Sequence, residues 1–119
     1  MRQAAILLVE DETLIRMMLV EMLEQLGHRV VAEAASIEEA QTHAETTTFD
    51  LAILDINVRG RTIDPIAEII HRRGVPFIFL TGYATSALPS AFTNKPYLQK
   101  PCSLEKLRHA IGAVPGFES

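Results

Sequence analysis

Hydrophobic residues in this chain form short runs, and four of these runs end at polar residues of different kinds. The runs and the residues that follow them are AILLV with Glu10 and Asp11, LAIL with Asp55, FIFL with Thr81, and YLQ with Lys100 and Pro101. Short, bounded apolar runs are typical of buried strands. Their carboxyl ends are expected at one edge of a sheet, which would bring three carboxylates, a hydroxyl and an amine into one crevice.

Strands and helices alternate along the sequence. The predicted strands are Ala4–Val9, Arg29–Ala34, Leu51–Leu54, Phe77–Leu80 and Tyr97–Gln99. Apolar residues at helical spacing predict a first helix from about Thr13 to Leu26, with Gly27 as its stop. Three further helix starts are indicated by Ser36 and Glu39 as a capping box, by Asp64 and Pro65 as N-cap and N1, and by Ser103 as a cap. Repeated strand–helix units predict an α/β fold, a parallel sheet covered by helices on both faces.

Composition and charge limit the class of protein. The 119 residues predict one domain, and the net charge of −4 argues against binding to nucleic acid, which requires a basic surface. The longest apolar stretch, Ala4–Val9, is too short to span a membrane, and the acidic residues after it do not fit a signal peptide. The single cysteine, Cys102, excludes an internal disulfide, so a reducing cytoplasm is the expected location.

The residues of the expected crevice favour phosphoryl chemistry. Two carboxylates about 4 Å apart repel each other by roughly 4 kcal/mol at an effective dielectric near 20. Glu10, Asp11 and Asp55 therefore need cations, and Lys100 supplies only one positive charge. Oxygen ligands of this kind favour Mg²⁺, and an aspartate can act as a nucleophile that forms an aspartyl-phosphate. Mg²⁺, Lys100 and the Thr81 hydroxyl could each hold one phosphoryl oxygen.

The order and spacing of these residues resemble the receiver domain of two-component response regulators over nearly the whole chain. The resemblance implies a flavodoxin-like, doubly wound sheet of five parallel strands in the order 2-1-3-4-5. It also implies that Asp55 is the phosphoacceptor and that Asp11 is a direct ligand of Mg²⁺. Glu10 would act on the metal through water, and Asn57 would offer its backbone carbonyl.

The same resemblance assigns the output side of the site. Thr81 corresponds to the switch hydroxyl, Lys100 to the phosphate-binding lysine, and Tyr97 to the aromatic residue that turns inward when the hydroxyl moves. The Lys100–Pro101 bond corresponds to a cis peptide of the family. The segment from Tyr83 to Tyr97 is expected to change on phosphorylation.

Two departures from the usual receiver pattern indicate a particular subfamily of receivers. Arg59 stands where receivers often have a proline, four residues after the phosphoacceptor. Pro89 and Pro96 lie in the segment where a fourth helix would be expected, and proline disfavours a regular helix. The stretches VEDETLIRMML and FIFLTGYAT resemble the single-domain "FAT GUY" receivers of alphaproteobacteria, in which this region is reshaped.

The predicted function is a phosphorylation-dependent switch without an output domain. We expect a phosphoacceptor that assists its own phosphorylation and dephosphorylation, and not an enzyme that acts on a separate substrate. A histidine kinase or phosphotransfer protein would phosphorylate Asp55, and the signal would pass by protein binding or by phosphotransfer. One alternative is a pseudo-receiver, an interaction module that phosphorylation does not control. Another is a Mg²⁺-dependent phosphatase or nucleotide-binding enzyme, which would require a glycine-rich phosphate loop or a DxD motif after the first strand, and the sequence contains neither.

The remaining polar residues are assigned to ordinary structural positions. The four histidines, His28, His43, His71 and His109, fall at predicted polar positions and are expected on the surface. Cys102 is expected to fill apolar space rather than to react.

Overall fold

A five-stranded parallel sheet forms the centre of the computed structural model, which describes residues 3–82, 89–92 and 94–117. Its strands are β1 (Ala5–Val9), β2 (Arg29–Ala34), β3 (Leu51–Asp55), β6 (Phe77–Thr81) and β7 (Tyr97–Gln99). Two short strands, β4 (Asn57–Val58) and β5 (Arg61–Thr62), form a separate antiparallel hairpin. The sheet order is β2-β1-β3-β6-β7, which confirms the predicted order 2-1-3-4-5 when only its own strands are counted.

Helices cover both faces of the sheet. They are α1 (Thr13–Gln25), α2 (Ile37–Thr46), α3 (Asp64–Arg72) and α4 (Leu104–Gly112). The predicted caps at Ser36 and Ser103 are confirmed, because each hydroxyl accepts a hydrogen bond from the backbone N–H three residues later at 3.2 Å. Among the described residues, no helix is both long enough and apolar enough to cross a membrane.

The predicted start of α3 is wrong by one residue. Ile63 is the N-cap, and Asp64 is the first residue of the helix, followed by Pro65. Ile63 is fully buried, and its backbone N–H bonds to the carbonyl of Ile56 at 3.1 Å, so tertiary packing fixes the helix start. The Asp64 carboxylate still lies in the first turn, where a negative charge interacts favourably with the helix dipole.

Successive residues of the central strands contribute to two separate apolar cores. In β1, Leu7 and Val9 face the core that includes Ile66 and Ile70 of α3, while Ile6 and Leu8 face the other core. That second core includes Leu19 and Leu23 of α1 and Leu107 and Ile111 of α4. Because both faces of the central strands are buried, their carboxyl ends are held in fixed relative positions.

His28 is buried, so the prediction of a surface position is wrong for this residue. Its side chain is 3% exposed, and Nδ1 accepts a hydrogen bond from the backbone N–H of Ala4 at 3.0 Å. Gly27, with φ of 89°, turns the chain after α1 and directs His28 under the start of β1. His43 is half-buried, and His71 and His109 are exposed, as expected.

The connection between β6 and β7 contains a 3₁₀ turn over Ser90–Phe92 in its described part. Phe92 is buried, and its ring meets the rings of Phe77 at 5.5 Å and His71 at 5.4 Å between centroids. No α-helix occurs in residues 89–92 or 94–96, in agreement with the reshaped region expected from the prolines. Tyr83, the first residue of the segment expected to respond to phosphorylation, lies outside the described residues.

Candidate functional site

Polar side chains converge where four parallel strands end. Asp55 and Thr81 are the last residues of β3 and β6, while Glu10 and Lys100 directly follow β1 and β7. Glu10, Asp55 and Thr81 are buried, although each is polar. In a doubly wound sheet, the crevice beyond the carboxyl ends of the strands is the usual place for a ligand.

Three carboxylates form one cluster in this crevice. Glu10, Asp11 and Asp55 can each direct one oxygen so that all three oxygens lie within 4.8 Å of one another. Such an all-oxygen donor set suits a hard divalent cation such as Mg²⁺. Asn57, the fourth predicted contributor to the metal site, lies two residues after Asp55 and donates its backbone N–H to Asp55 Oδ1 at 3.2 Å.

The Lys100 ammonium is shared among carboxylates. Its Nζ lies 3.0 Å from Asp55 Oδ2, 3.3 Å from Glu10 Oε1 and 3.1 Å from Glu12 Oε1. Sequence reasoning did not include Glu12 in the site. Its side chain is 58% exposed, and nothing in the sequence indicates that it reaches the lysine at the end of a distant strand.

Burial and charge shift the protonation of this cluster. Burial raises the pKa of Glu10 to about 8, and the hydrogen bond with Asp55 and the charge of Asp55 add to the effect, while Lys100 opposes it. Burial lowers the pKa of Lys100, but hydrogen bonds to Asp55 and Glu12 and the charges of Asp55 and Glu10 raise it above its ordinary value. Lys100 is therefore cationic at neutral pH, and its single charge is shared by Asp55, Glu10 and Glu12.

The hairpin that follows Asp55 was not predicted from the sequence. Asn57 pairs with Thr62 and Val58 with Arg61, and the two residues of the turn, Arg59 and Gly60, have φ of 52° and 80°. Positive φ at both positions is typical of a type I′ turn. The backbone N–H of Arg59 donates to Asp11 Oδ2 at 2.9 Å, so the turn contacts the acidic cluster directly.

The departure from proline at position 59 has a physical reason. Proline fixes φ near −65° and has no backbone N–H, so it could neither adopt the φ of 52° nor bond to Asp11.

The two predicted switch residues occupy different environments. Thr81 is buried, and its backbone carbonyl accepts a hydrogen bond from the N–H of Lys100 at 2.7 Å. The side chain of Tyr97 is 44% exposed, so the ring is not packed inward. The Lys100–Pro101 peptide bond is cis, as expected from the resemblance. Cys102 is half-buried, and burial raises the pKa of its thiol, which disfavours the reactive thiolate.

A comparison with protein families decides the identity of the domain. The sequence model of the family described as "Response regulator receiver domain" matches residues 6–112. The chain is a response regulator receiver. It belongs to the receivers of two-component systems, and the sheet order and the acidic crevice described above agree with this membership.

The receiver is similar to several known proteins. It is 38% identical over 110 residues to the transcriptional regulatory protein PdtaR of Mycobacterium tuberculosis strain H37Rv, a match that covers 89% of this chain and 54% of PdtaR. The receiver therefore spans about half the length of that relative.

Solved structures include a chain of similar length. The solution structure of SdrG from Sphingomonas melonis Fr1 matches with a TM-score of 0.84 and 38% identity, covering 93% of this chain and 95% of SdrG. A structure titled the BeF3-activated conformation of SdrG, from Pseudomonas melonis Fr1, matches with a TM-score of 0.78 and 38% identity. It covers 92% of this receiver and 93% of that chain. The similarity to SdrG thus includes both sequence and fold over more than nine-tenths of each chain.

Proposed function

We propose that this receiver is a switch controlled by phosphorylation of Asp55, with a histidine kinase or a phosphotransfer protein as the donor and Mg²⁺ as the cofactor. The observation that carries the proposal is the setting of Asp55. Its buried carboxylate ends β3, lies 3.0 Å from the Lys100 ammonium, and shares a cluster with Glu10 and Asp11. The setting therefore combines a nucleophile, Asp55, with a fixed cation, Lys100, and with two further carboxylates that could bind a metal, Glu10 and Asp11.

Phosphoryl transfer at this site needs one bond to form and one to break. A carboxylate oxygen of Asp55 attacks the phosphorus of a phosphohistidine, the P–N bond breaks, and the imidazole leaves with the electron pair. The product is an aspartyl-phosphate on Asp55. Such a reaction depends mainly on positioning and on stabilisation of charge on the phosphoryl oxygens.

The receiver's own residues would provide that stabilisation. Lys100 holds a positive charge 3.0 Å from Asp55 Oδ2, and Thr81 ends the neighbouring strand with a hydroxyl. Asp11, Asp55 and the Asn57 carbonyl would hold Mg²⁺, with Glu10 acting through water. The bound metal would neutralise phosphoryl charge and balance the carboxylates that Lys100 alone cannot.

The same contacts would pass the signal on. A phosphoryl group on Asp55 competes with Glu10 and Glu12 for Lys100 and can attract the hydroxyl of Thr81. Charge-assisted hydrogen bonds of this kind are strong enough to bias a two-state segment. The half-exposed ring of Tyr97 could then turn inward, changing the surface that a downstream protein contacts.

The surface beside the crevice fits a protein donor. A phosphohistidine must approach Asp55 closely, so its protein has to contact the rim of the crevice. Helix α1 begins two residues after Asp11, and it exposes three large apolar side chains, those of Leu14, Met17 and Met18. Apolar side chains exposed together are a common mark of a protein-binding surface.

Labelling with a small phosphodonor tests the proposal without knowledge of the kinase. Acetyl phosphate with Mg²⁺ should add one phosphoryl group to the receiver, detected by intact mass, and Asp55→Asn should not be labelled. Asp64→Asn is the matched control, because Asp64 lies in α3 outside the carboxylate cluster. Persistent labelling of Asp55→Asn would refute the role of Asp55. No labelling of the wild type by acetyl phosphate or by a phosphorylated donor protein would favour an interaction module instead.

A further inference from the structure

Arg59 contributes to the acidic cluster through its backbone. Its N–H donates to Asp11 Oδ2 at 2.9 Å across 48 residues of sequence, which joins the hairpin after Asp55 to the loop after β1. The Arg59 side chain is exposed and projects from a turn. The contact with Asp11 therefore depends on the conformation of the turn and not on the guanidinium group.

The hairpin that carries this N–H is held on both sides. Gly60 donates its backbone N–H to Asn57 Oδ1 at 2.9 Å within the turn. Ile63 donates to the carbonyl of Ile56 at 3.1 Å, and Val58 is completely buried. A turn anchored in this way fixes the direction of the Arg59 N–H before any ligand arrives.

We propose that the Arg59–Gly60 turn positions the Asp11 carboxylate for a divalent cation. The Arg59 N–H holds one carboxylate oxygen, so the other is offered to the cluster of Glu10 and Asp55 in one orientation. Partners that orient a metal-binding side chain in this way commonly change metal affinity by about 10- to 100-fold. The inference rests on the Mg²⁺ site of the proposed function but not on phosphorylation itself. Arg59 is thus a positioning residue, and its amide is the group that acts.

Two substitutions separate the amide from the side chain. Arg59→Pro removes the backbone N–H, the positive φ and the guanidinium charge. Arg59→Gln removes the guanidinium charge but keeps the N–H and the positive φ. Mg²⁺ titration followed by NMR should show about tenfold or greater loss of affinity in Arg59→Pro. Arg59→Gln should retain wild-type affinity. Wild-type Mg²⁺ affinity in Arg59→Pro would overturn the proposal. The same loss of affinity in both variants would also overturn it, because the effect would then come from the guanidinium group.

A second measurement avoids the question of whether Arg59→Pro folds. In the metal-free protein, exchange of the Arg59 amide proton with water should be faster in Asp11→Ala than in the wild type. The Gly60 amide is the internal control, because its acceptor is Asn57 and its exchange should not change. Equal exchange of the Arg59 amide in both proteins would overturn the proposal.

The two proposals can fail separately. Loss of Mg²⁺ affinity in Arg59→Pro alone, together with absent labelling of Asp55, would support the positioning role and refute only the phosphoacceptor. Normal labelling of Asp55, together with unchanged Mg²⁺ affinity in Arg59→Pro, would support the phosphoacceptor and refute only the positioning role.

Discussion

Lys100 Nζ lies 3.0 Å from Asp55 Oδ2, and this one ammonium group also reaches Glu10 at 3.3 Å and Glu12 at 3.1 Å. The contact with Asp55 is therefore part of a shared arrangement rather than an isolated ion pair. Any new negative charge on Asp55 would redistribute the lysine among its partners. This makes Lys100 the residue whose replacement best separates folding from signalling.

Lys100→Ala should fold but should respond poorly to phosphorylation. Loss of the ammonium leaves the buried Glu10 and Asp55 without their shared cation, which we expect to lower the free energy of unfolding by about 1–3 kcal/mol. The loss is limited because Glu10, whose pKa is raised to about 8, is protonated at neutral pH. Urea unfolding measures the stability, acetyl phosphate labelling measures phosphorylation, and hydrogen exchange with and without beryllofluoride measures the response. Lys100→Arg is the control that keeps the charge, and normal switching by Lys100→Ala would contradict the assigned role.

Asp11→Ala should weaken Mg²⁺ binding and raise the stability of the metal-free receiver. One of three neighbouring carboxylates is removed, so repulsion in the cluster falls, although the bond from Arg59 is lost. Because Mg²⁺ is expected to bind weakly without phosphate, thermal unfolding with increasing Mg²⁺ should show a modest stabilisation of the wild type and little of the variant. Asp64→Ala, outside the cluster, should respond like the wild type. Equal stabilisation of wild type and Asp11→Ala by Mg²⁺ would exclude Asp11 as a ligand.

His28 should make the stability of the receiver depend on pH in the mildly acidic range. Burial lowers the pKa of His28 from its ordinary value of 6.5, so the folded state favours the neutral ring while the unfolded state protonates near 6.5. The stabilising contribution is complete above the unfolded pKa and is lost as the pH falls from there through the lower folded value. Protonation of Nδ1 would also break its bond with Ala4.

The comparison of wild type with His28→Gln isolates this effect. The urea midpoint of unfolding should be measured across the mildly acidic pH range. It should fall more steeply toward low pH in the wild type than in His28→Gln, because the variant lacks the titrating ring. His109→Gln, which replaces an exposed histidine, should retain the wild-type slope. Parallel slopes for wild type and His28→Gln would refute the assignment.

Hydrogen exchange should change in the segment from Tyr83 to Tyr97 when a phosphate mimic is bound. Thr81 begins this connection, and the described part of it has a 3₁₀ turn as its regular structure. Segments with little regular structure open at low free energy, so they respond to small changes in contacts. Beryllofluoride with Mg²⁺ supplies the mimic, and Asp55→Asn under the same conditions is the control. Changes confined to the amino-terminal ends of the strands, near His28 and Asp50, would show that the signal passes through another face of the protein.

The sheet and the crevice could be predicted because both depend on local patterns. Apolar runs bounded by polar residues identify strands, and the residue that ends each run reports what lies at the sheet edge. This was sufficient to bring Glu10, Asp55, Thr81 and Lys100 to one edge. Their roles in phosphorylation remain predictions.

Features that depend on tertiary contacts could not be predicted in the same way. The Arg59–Gly60 turn lacks the asparagine or aspartate that usually signals a type I′ hairpin, so its sequence was not recognised as a turn. Glu12 is exposed at the start of a helix, and only the folded chain brings Lys100 to it. The burial of His28 follows from the course of the chain after Gly27, which composition does not reveal.

Phe92 attaches the connection between β6 and β7 to the apolar core. Its ring contacts the rings of Phe77 and Phe79 on β6, the strand that pairs with the strand of Asp55, and the ring of His71 on α3. We therefore expect any rearrangement that links Thr81 to Tyr97 either to leave Phe92 in place or to break these ring contacts.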